Sequence, residues 1–278
     1  MRYEELNWNS KDGVALFARH WQPAGETVGV VCLVHGIGEH SGRYPHVAAA
    51  LTDAGYAVLA ADTRGHGQSG GPRGHFPTYD TVMDDIALLL ERGAGRYPGK
   101  PCFLYGHSLG GNLVLTYLLR RRPTLNGAIA TSPLILPTFD PPGWKIVAAQ
   151  VFYRLRPGMI FSNEIDTSGL SHDPAIGEAY LADPLNHNKV SARLGVEMLE
   201  AGRQILAQAE RFPPVPLLLV HGTGDQITSH GATEQFAARV PGEVTLKLWE
   251  GLAHETHNEP EKNQVIAYLV DWLQVHTP

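Results

Sequence analysis

A serine, an aspartate and a histidine, in that order and far apart in the chain, have the strongest claim to chemistry in this sequence. Ser108 is the centre of Gly106-His107-Ser108-Leu109-Gly110, a G-x-S-x-G pentapeptide with an apolar run before it (101–105) and a helix-forming apolar run after it (111–120). A serine on a sharp strand-to-helix turn has its hydroxyl lifted clear of the sheet, and small flanking residues let the backbone pass without a Cβ clash. Such a hydroxyl is a weak nucleophile at neutral pH and needs a base beside it. The base in turn needs an acid to fix its tautomer and stabilise its cation. Asp225 closes His221-Gly222-Thr223-Gly224-Asp225, directly after the apolar run 215–220, and His254 closes Glu250-Gly251-Leu252-Ala253-His254, directly after 244–249. All three therefore fall at the carboxyl ends of expected strands, where open α/β sheets gather their working groups.

Rival assignments exist for each role. His257 is a second histidine near the same place, but it lies closer to the expected final helix, and His254 is preferred. Asp173 and Asp183 are acids in a less regular part of the chain, and Asp225 is preferred over both. His107, inside the pentapeptide, is expected to point away from the nucleophile and to be a packed or hydrogen-bonded histidine. Acyl transfer also needs preorganised N–H donors for the developing oxyanion, the loss of one raising the barrier by about 2.7–4 kcal/mol. The amide of Leu109, next after the nucleophile, is one candidate. Ile37, in the glycine-containing loop His35-Gly36-Ile37-Gly38-Glu39-His40 after the run 28–34, is the other. The plain alternative for that loop is a flexible strand end. A third loop, Asp62-Thr63-Arg64-Gly65-His66-Gly67-Gln68-Ser69, carries charge and imidazoles, and structural hydrogen bonding is its preferred reading. The 14 histidines are scattered without an H-E-x-x-H pair, so no metal site is expected. Gly36-Ile37-Gly38 lacks the third glycine of a dinucleotide fingerprint, so no nucleotide cofactor is expected either.

The elements that must hold these groups alternate. Runs 14–21, 28–34, 56–61, 101–105 and 127–130 read as strands, and 44–54 and 79–94 as helices between them. Continuous apolar strands separated by helices imply an α/β protein with a parallel sheet covered on both faces. Residues 3–9 are expected to form an antiparallel hairpin with 14–21, turned at Lys11-Asp12-Gly13. The alternation stops at Ser132-Pro133 and resumes with strands at 215–220 and 244–249 and a final helix over 259–274. The intervening 132–214 reads as an insertion over the strand ends, containing one clear helix over 190–209, where apolar residues recur at helical spacing. Residues 1–131 and 215–278 form the expected catalytic core.

Composition sets the outer limits. A chain of 278 residues is long enough for one large α/β domain, and 43% hydrophobic with 18% charged residues is a globular balance. The formal net charge of −6 argues against a nucleic-acid partner. The one basic run, Arg120-Arg121-Arg122, ends an expected helix, where cations oppose the negative end of the dipole. Cys32 and Cys102 each sit in an apolar run and are expected to be buried thiols, with no disulfide framework. No apolar signal core follows Met1 and no run approaches a membrane span, so the expectation is a soluble, cytoplasmic protein.

The motifs together resemble a known family. His35-Gly-Ile-Gly-Glu-His-Ser-Gly-Arg-Tyr44, Asp62-Thr-Arg-Gly-His-Gly-Gln-Ser69, Gly106-His-Ser-Leu-Gly-Gly111, Asp183-Pro-Leu185 and His254-Glu-Thr-His-Asn-Glu-Pro260 look like the monoacylglycerol lipase and lysophospholipase-like branch of the α/β-hydrolases, over nearly the whole chain. The order Ser, Asp, His is also that of the α/β-hydrolase fold. The resemblance implies a mostly parallel central sheet flanked by helices, with an inserted, mainly helical lid. It implies a serine hydrolase of acyl esters of glycerol or related alcohols, working without a cofactor on a small-molecule substrate. Ser108 would be the nucleophile, His254 the base and Asp225 its orienter, with Ile37 and Leu109 supplying oxyanion amides. The alternatives are a short-chain carboxylesterase, a lysophospholipase, an amide-cleaving enzyme on the same residues, and a ligand-binding relative without catalysis.

Apolar residues crowd the early insertion: Ile135, Leu136, Phe139, Trp144, Ile146, Val147, Val151, Phe152, Leu155, Met159, Ile160 and Phe161. Three readings stand side by side. They cover a pocket for an acyl chain, each buried methylene contributing about 0.8 kcal/mol. They pack the insertion onto the core. Or the segment 144–161, with Lys145, Arg154 and Arg156, touches lipid surfaces transiently, its length limited by Pro157-Gly158.

Overall fold

The apolar runs of the sequence become a sheet whose central strands are sealed on both faces. The structure, a computed structural model, describes residues 1–139 and 143–278. Its strands are β1 (Arg2–Asn9), β2 (Ala15–Gln22), β3 (Gly29–Val34), β4 (Tyr56–Ala61), β5 (Cys102–His107), β6 (Gly127–Thr131), β7 (Ile160–Ser162), β8 (Lys189–Ser191), β9 (Leu217–Gly222) and β10 (Val244–Trp249). The helices are α1 (Pro45–Asp53), α2 (Tyr79–Arg96), α3 (Leu109–Arg121), α4 (Gly143–Leu155), α5 (Pro174–Ala182), α6 (Ala192–Ala207), α7 (His230–Ala237) and α8 (Lys262–Val275). The main sheet has 8 strands in the order β1-β2-β4-β3-β5-β6-β9-β10. Pairing is parallel from β4 through β10, and the β1–β2 hairpin joins β4 antiparallel through β2.

The period of two along a strand sorts its residues between two cores. Val30, Cys32 and Val34 of β3 pack with α2, α3 and α6 on one face; Val31 and Leu33 pack with α1 and α8 on the other. Every residue of β3 and β9 is buried, whereas β10 is half-buried along its length because it lies at the sheet edge. This is the α/β-hydrolase arrangement.

Local chemistry explains where the elements depart from expectation. The helix expected over 190–209 begins at Ala192, because the Ser191 hydroxyl accepts the Leu194 amide and caps it. The strand expected from 215 begins at Leu217, after Pro216, which has no N–H to give a ladder. The final helix begins at Lys262 because Glu259 is drawn inward, its carboxylate accepting the amides of Ala253 and His172. Cys32 is buried, but Cys102, at the opening of β5, is only half-buried; both thiols are free. Arg120 and Arg121 pair with Asp80 and Asp84 of α2, and Arg122 ends α3 in a left-handed conformation (φ 47°).

Between β6 and β9 the chain leaves the sheet and forms α4, the β7–β8 pair, α5 and α6. Its docking onto the strand-end loops is specific. The Gly38 carbonyl accepts the His187 amide and the Tyr180 hydroxyl, both at 2.9 Å. His40 bonds Asp183 at 2.8 Å, and the Glu255 amide donates to the Leu170 carbonyl at 2.7 Å. Among the described residues no helix is long and apolar enough to cross a membrane.

Candidate active site

Ser108 joins β5 to α3 with φ 53° and ψ −116°, a conformation that side-chain-bearing residues rarely adopt. Holding it costs about 1–3 kcal/mol and requires the surroundings to enforce it. They do so through backbone bonds: the Ser108 amide donates to the Thr131 carbonyl, and its carbonyl accepts the amides of Asn112 and Leu134, each at 3.0 Å. The flanking glycines are needed for space. A Cβ on Gly110 would run into the Val34 and His35 carbonyls, and one on Gly106 into the Gly110 carbonyl. α3 starts without a side-chain cap, so the Leu109 amide is among the N–H groups that a helix start leaves without an intrahelical partner.

The loop bearing Ile37 is anchored rather than slack. Glu39 reaches back to accept the Gly36 amide at 2.6 Å, and Tyr44 donates its hydroxyl to the same oxygen at 2.7 Å. His35 accepts the Thr63 amide at Nε2 (2.8 Å) and donates from Nδ1 to the Gly36 carbonyl (2.7 Å). Gly38 supplies the left-handed turn (φ 72°), and a Cβ there would strike the His187 carbonyl.

His254 donates from Nδ1 to Asp225 Oδ2 at 2.8 Å, which leaves Nε2 free of the acid. Ser108 and His254 line one cleft, together with Ile37, His107, Glu39, Arg43 and Glu255. The structure thus brings Ser108, His254, Asp225 and Ile37 to one rim of the sheet. Burial disfavours the imidazolium of His254, but the Asp225 carboxylate outweighs it and the pKa lies above 6.5. Burial likewise raises Asp225, yet His254 and His221 more than offset it, and the acid stays ionised far below the usual carboxylate range.

The rivals are occupied elsewhere. His107 bonds Thr131 Oγ1 at 3.1 Å, and burial followed by the charge of His254 holds it neutral at about 3. His257 is fully buried and stacks on Tyr44 with ring centroids 5.1 Å apart. Asp173 caps α5 through the Ala175 amide, and Asp183 pairs with His40. The loop 62–69 is a hydrogen-bonding scaffold: Asp62 accepts from Ser41, Arg19 and the Gln68 amide, and Arg64 is clasped by Asp85 and Asp12.

Several site residues take no role from the sequence alone, although all but Thr228 lie inside the runs quoted above. Arg43 bridges Glu39 (2.8 Å) and Glu255 (2.6 Å) beside the cleft, with nine-tenths of its side chain buried. His221 and Thr228 both bond Asp225 Oδ2. Glu259 holds the Ala253 amide just before His254 and bonds His172 Nδ1 at 2.9 Å. Their only sequence signal is adjacency to the residues already singled out. The apolar cluster of the early insertion is also redistributed. Among the described residues, the insertion contributes Ile165, Leu170 and Tyr180 to the cleft. Ile135 packs in the core, whereas Phe139, Val147, Val151 and Leu155 are exposed. The side chains of Lys145 and Ile146 lie outside the described residues.

Comparison with known proteins follows the same lines. The family described as serine aminopeptidase, S33, matches residues 25–261. An uncharacterised abhydrolase domain-containing protein of Dictyostelium discoideum is 40% identical over 96% of this chain, which spans only 28% of that protein's length. A monoacylglycerol lipase of Mycolicibacterium smegmatis is 34% identical over 95% of this chain and 94% of its own. The crystal structure of a monoacylglycerol lipase of Paleococcus ferrophilus superposes with a TM-score of 0.84 at 31% identity, covering 99% of this chain and 100% of that one. With its elbow serine and its matched length, the chain belongs to the serine aminopeptidase S33 family of α/β-hydrolases, in the branch of the monoacylglycerol lipases, and is a serine ester hydrolase.

Proposed function

We propose that this chain cleaves monoacylglycerol-type esters to a fatty acid and an alcohol through an acyl-enzyme at Ser108. The observation that carries the reading is the cleft shared by Ser108 and His254, with His254 Nδ1 held 2.8 Å from Asp225 Oδ2. His254 Nε2 takes the hydroxyl proton as Ser108 Oγ bonds to the ester carbonyl carbon. The Ile37 and Leu109 amides receive the oxyanion. His254 then protonates the departing alcohol, and the acyl group remains on Ser108. Water, deprotonated by His254, repeats the sequence and releases the acid.

The cleft supports an ester of this class because its walls differ in character. Ile37, Ile165, Leu170 and Ile227 suit an acyl chain, while Glu39, Arg43, Tyr180 and Glu255 offer a polar side to a hydroxylated alcohol. Residues 132–214 act in this reading as a lid over residues 1–131 and 215–278. The exposed Val147, Val151 and Leu155 of α4 and Ile160 and Phe161 of β7 support a transient contact with lipid surfaces.

Ser108→Ala, assayed on monoacylglycerols, p-nitrophenyl esters and a fluorophosphonate probe, tests the mechanism. Turnover should fall about 10⁴-fold or more and labelling should vanish, with the fold retained. Undiminished turnover would refute it. A panel of monoacylglycerols, diacylglycerols, lysophospholipids and short esters tests the substrate class, which fails if short esters alone are cleaved. The family's description as an aminopeptidase favours amide cleavage as a second reading. Release from aminoacyl anilides faster than from monoacylglycerols would establish it.

A further inference from the structure

Asp225 has more donors than the orientation of His254 requires. Oδ1 accepts the amides of Ile227 (2.7 Å) and Thr228 (3.0 Å), while Oδ2 faces His254 Nδ1 (2.8 Å), Thr228 Oγ1 (2.8 Å) and His221 Nε2 (3.0 Å). The backbone bonds follow from the turn, and His254 from the chemistry. His221 has no role yet. It is fully buried near the end of β9, four residues before the acid.

The tautomer of His221 is fixed from both sides. Nε2 faces two acceptors, the Asp225 carboxylate and the Thr228 carbonyl (3.1 Å), so it carries the proton. Nδ1 lies 2.9 Å from Thr233 Oγ1, whose hydroxyl donates to it from α7. The imidazole therefore aims its Nε2–H at the same oxygen that His254 uses.

We propose that His221 is a positioning residue that ties the acid to α7 and, by sharing Oδ2, moderates the pull of Asp225 on His254, setting the pH below which His254 ceases to act as a base. The proposal rests on the reading of Ser108, His254 and Asp225 as a catalytic series. Each donor on a carboxylate oxygen neutralises part of its charge and weakens its hold on the others. Without the His221 N–H, more negative potential reaches His254 and its cation is favoured. Around His254, the carboxylates of Glu255 and Glu39 also favour its cation, and the neutral ring of His107 packs against it with centroids 4.9 Å apart. His221 itself faces Asp225, Thr228, Thr233 and, with ring centroids 6.3 Å apart, His230.

The test is the pH dependence of kcat/KM on a water-soluble ester for His221→Phe and His221→Gln, with thermal melting of each. His221→Phe should move the acid limb up by about half to one pH unit, with KM little changed. His221→Gln, whose amide keeps a donor toward Asp225 and an acceptor toward Thr233, should restore the limb. An unmoved limb in folded His221→Phe, or an equal shift in both variants, overturns the proposal in favour of simple packing. Should the Phe variant fail to fold, ¹⁵N-histidine spectra of the unaltered protein decide. Above the acid limb His221 should be the Nε2–H tautomer, and the Nδ1–H tautomer overturns the proposal. Asp225→Asn separates the two readings, because an unchanged rate and limb in that variant would sink the catalytic series itself.

Discussion

In the proposed reading Ser108 combines strain with reactivity, and the two are separable by substitution. Its φ of 53° is unfavourable for any residue with a Cβ and ordinary for glycine. Ser108→Gly should therefore be more stable than Ser108→Ala by about 1 kcal/mol in denaturant unfolding, with both inactive. Equal stabilities would mean that the elbow holds no strain. The base makes a second prediction. Because Asp225 holds the His254 pKa above that of a free imidazole, the proposed base works only when pH exceeds that raised value. The kcat/KM profile should fall on acidification through a midpoint above that of a free imidazole, and a midpoint at or below a free imidazole's would contradict the Asp225 pairing. Stability has the same linkage. A raised folded pKa contributes stability that is full below the unfolded pKa and lost as pH rises through the folded one. The depressed pKa of Asp225 works oppositely, contributing above the unfolded carboxylate pKa and losing its contribution only in strong acid.

At the scale of elements, positioning depends on how strand ends are tied together. The 62–69 loop illustrates this. The Arg64 side chain is 2% exposed and donates to Asp85 from Nε (2.6 Å) and to Asp12 from Nη1 (2.8 Å), so its removal leaves Asp85 without its cation. Arg64→Ala should cost about 3–5 kcal/mol in unfolding free energy while the folded fraction keeps its kcat. A loss of kcat at unchanged stability would instead give this loop a part in substrate handling. The loop's composition also suited substrate or metal binding, and its place beside the elbow favoured scaffold, but the partners of Arg64 lie 52 and 21 residues away and have no local signature. The helix over 192–207 shows the complementary case: its apolar spacing was legible, and its start was not, because the capping Ser191 also ends β8.

For the whole molecule, the insertion divides into a docked part and an exposed apolar one. The Leu170 to His187 stretch is bonded to the loops after β3, β4 and β10. In α4, by contrast, Val147 is 61% and Leu155 74% exposed, an unusual state for side chains of this size. Val147→Asp with Leu155→Asp should reduce co-sedimentation with anionic phospholipid vesicles several-fold while leaving turnover of a water-soluble ester unchanged. Unaltered vesicle binding would mean that another surface carries the contact.

Local pattern and spacing determined the alternation of strands and helices, the elbow at Ser108 and the placement of Asp225 and His254 after their strands. These properties belong to short segments, in which side-chain period, glycine and proline act on their own neighbours. Only the tertiary structure decided which groups surround them: Arg43 between Glu39 and Glu255, His221 and Thr228 on Asp225, Glu259 behind His254, and Ile165 and Leu170 rather than the early apolar cluster at the cleft. Buried charges and donors must find partners wherever the fold presents them. Those partners come from distant segments, so their identity is set by packing and not by any local run of residues.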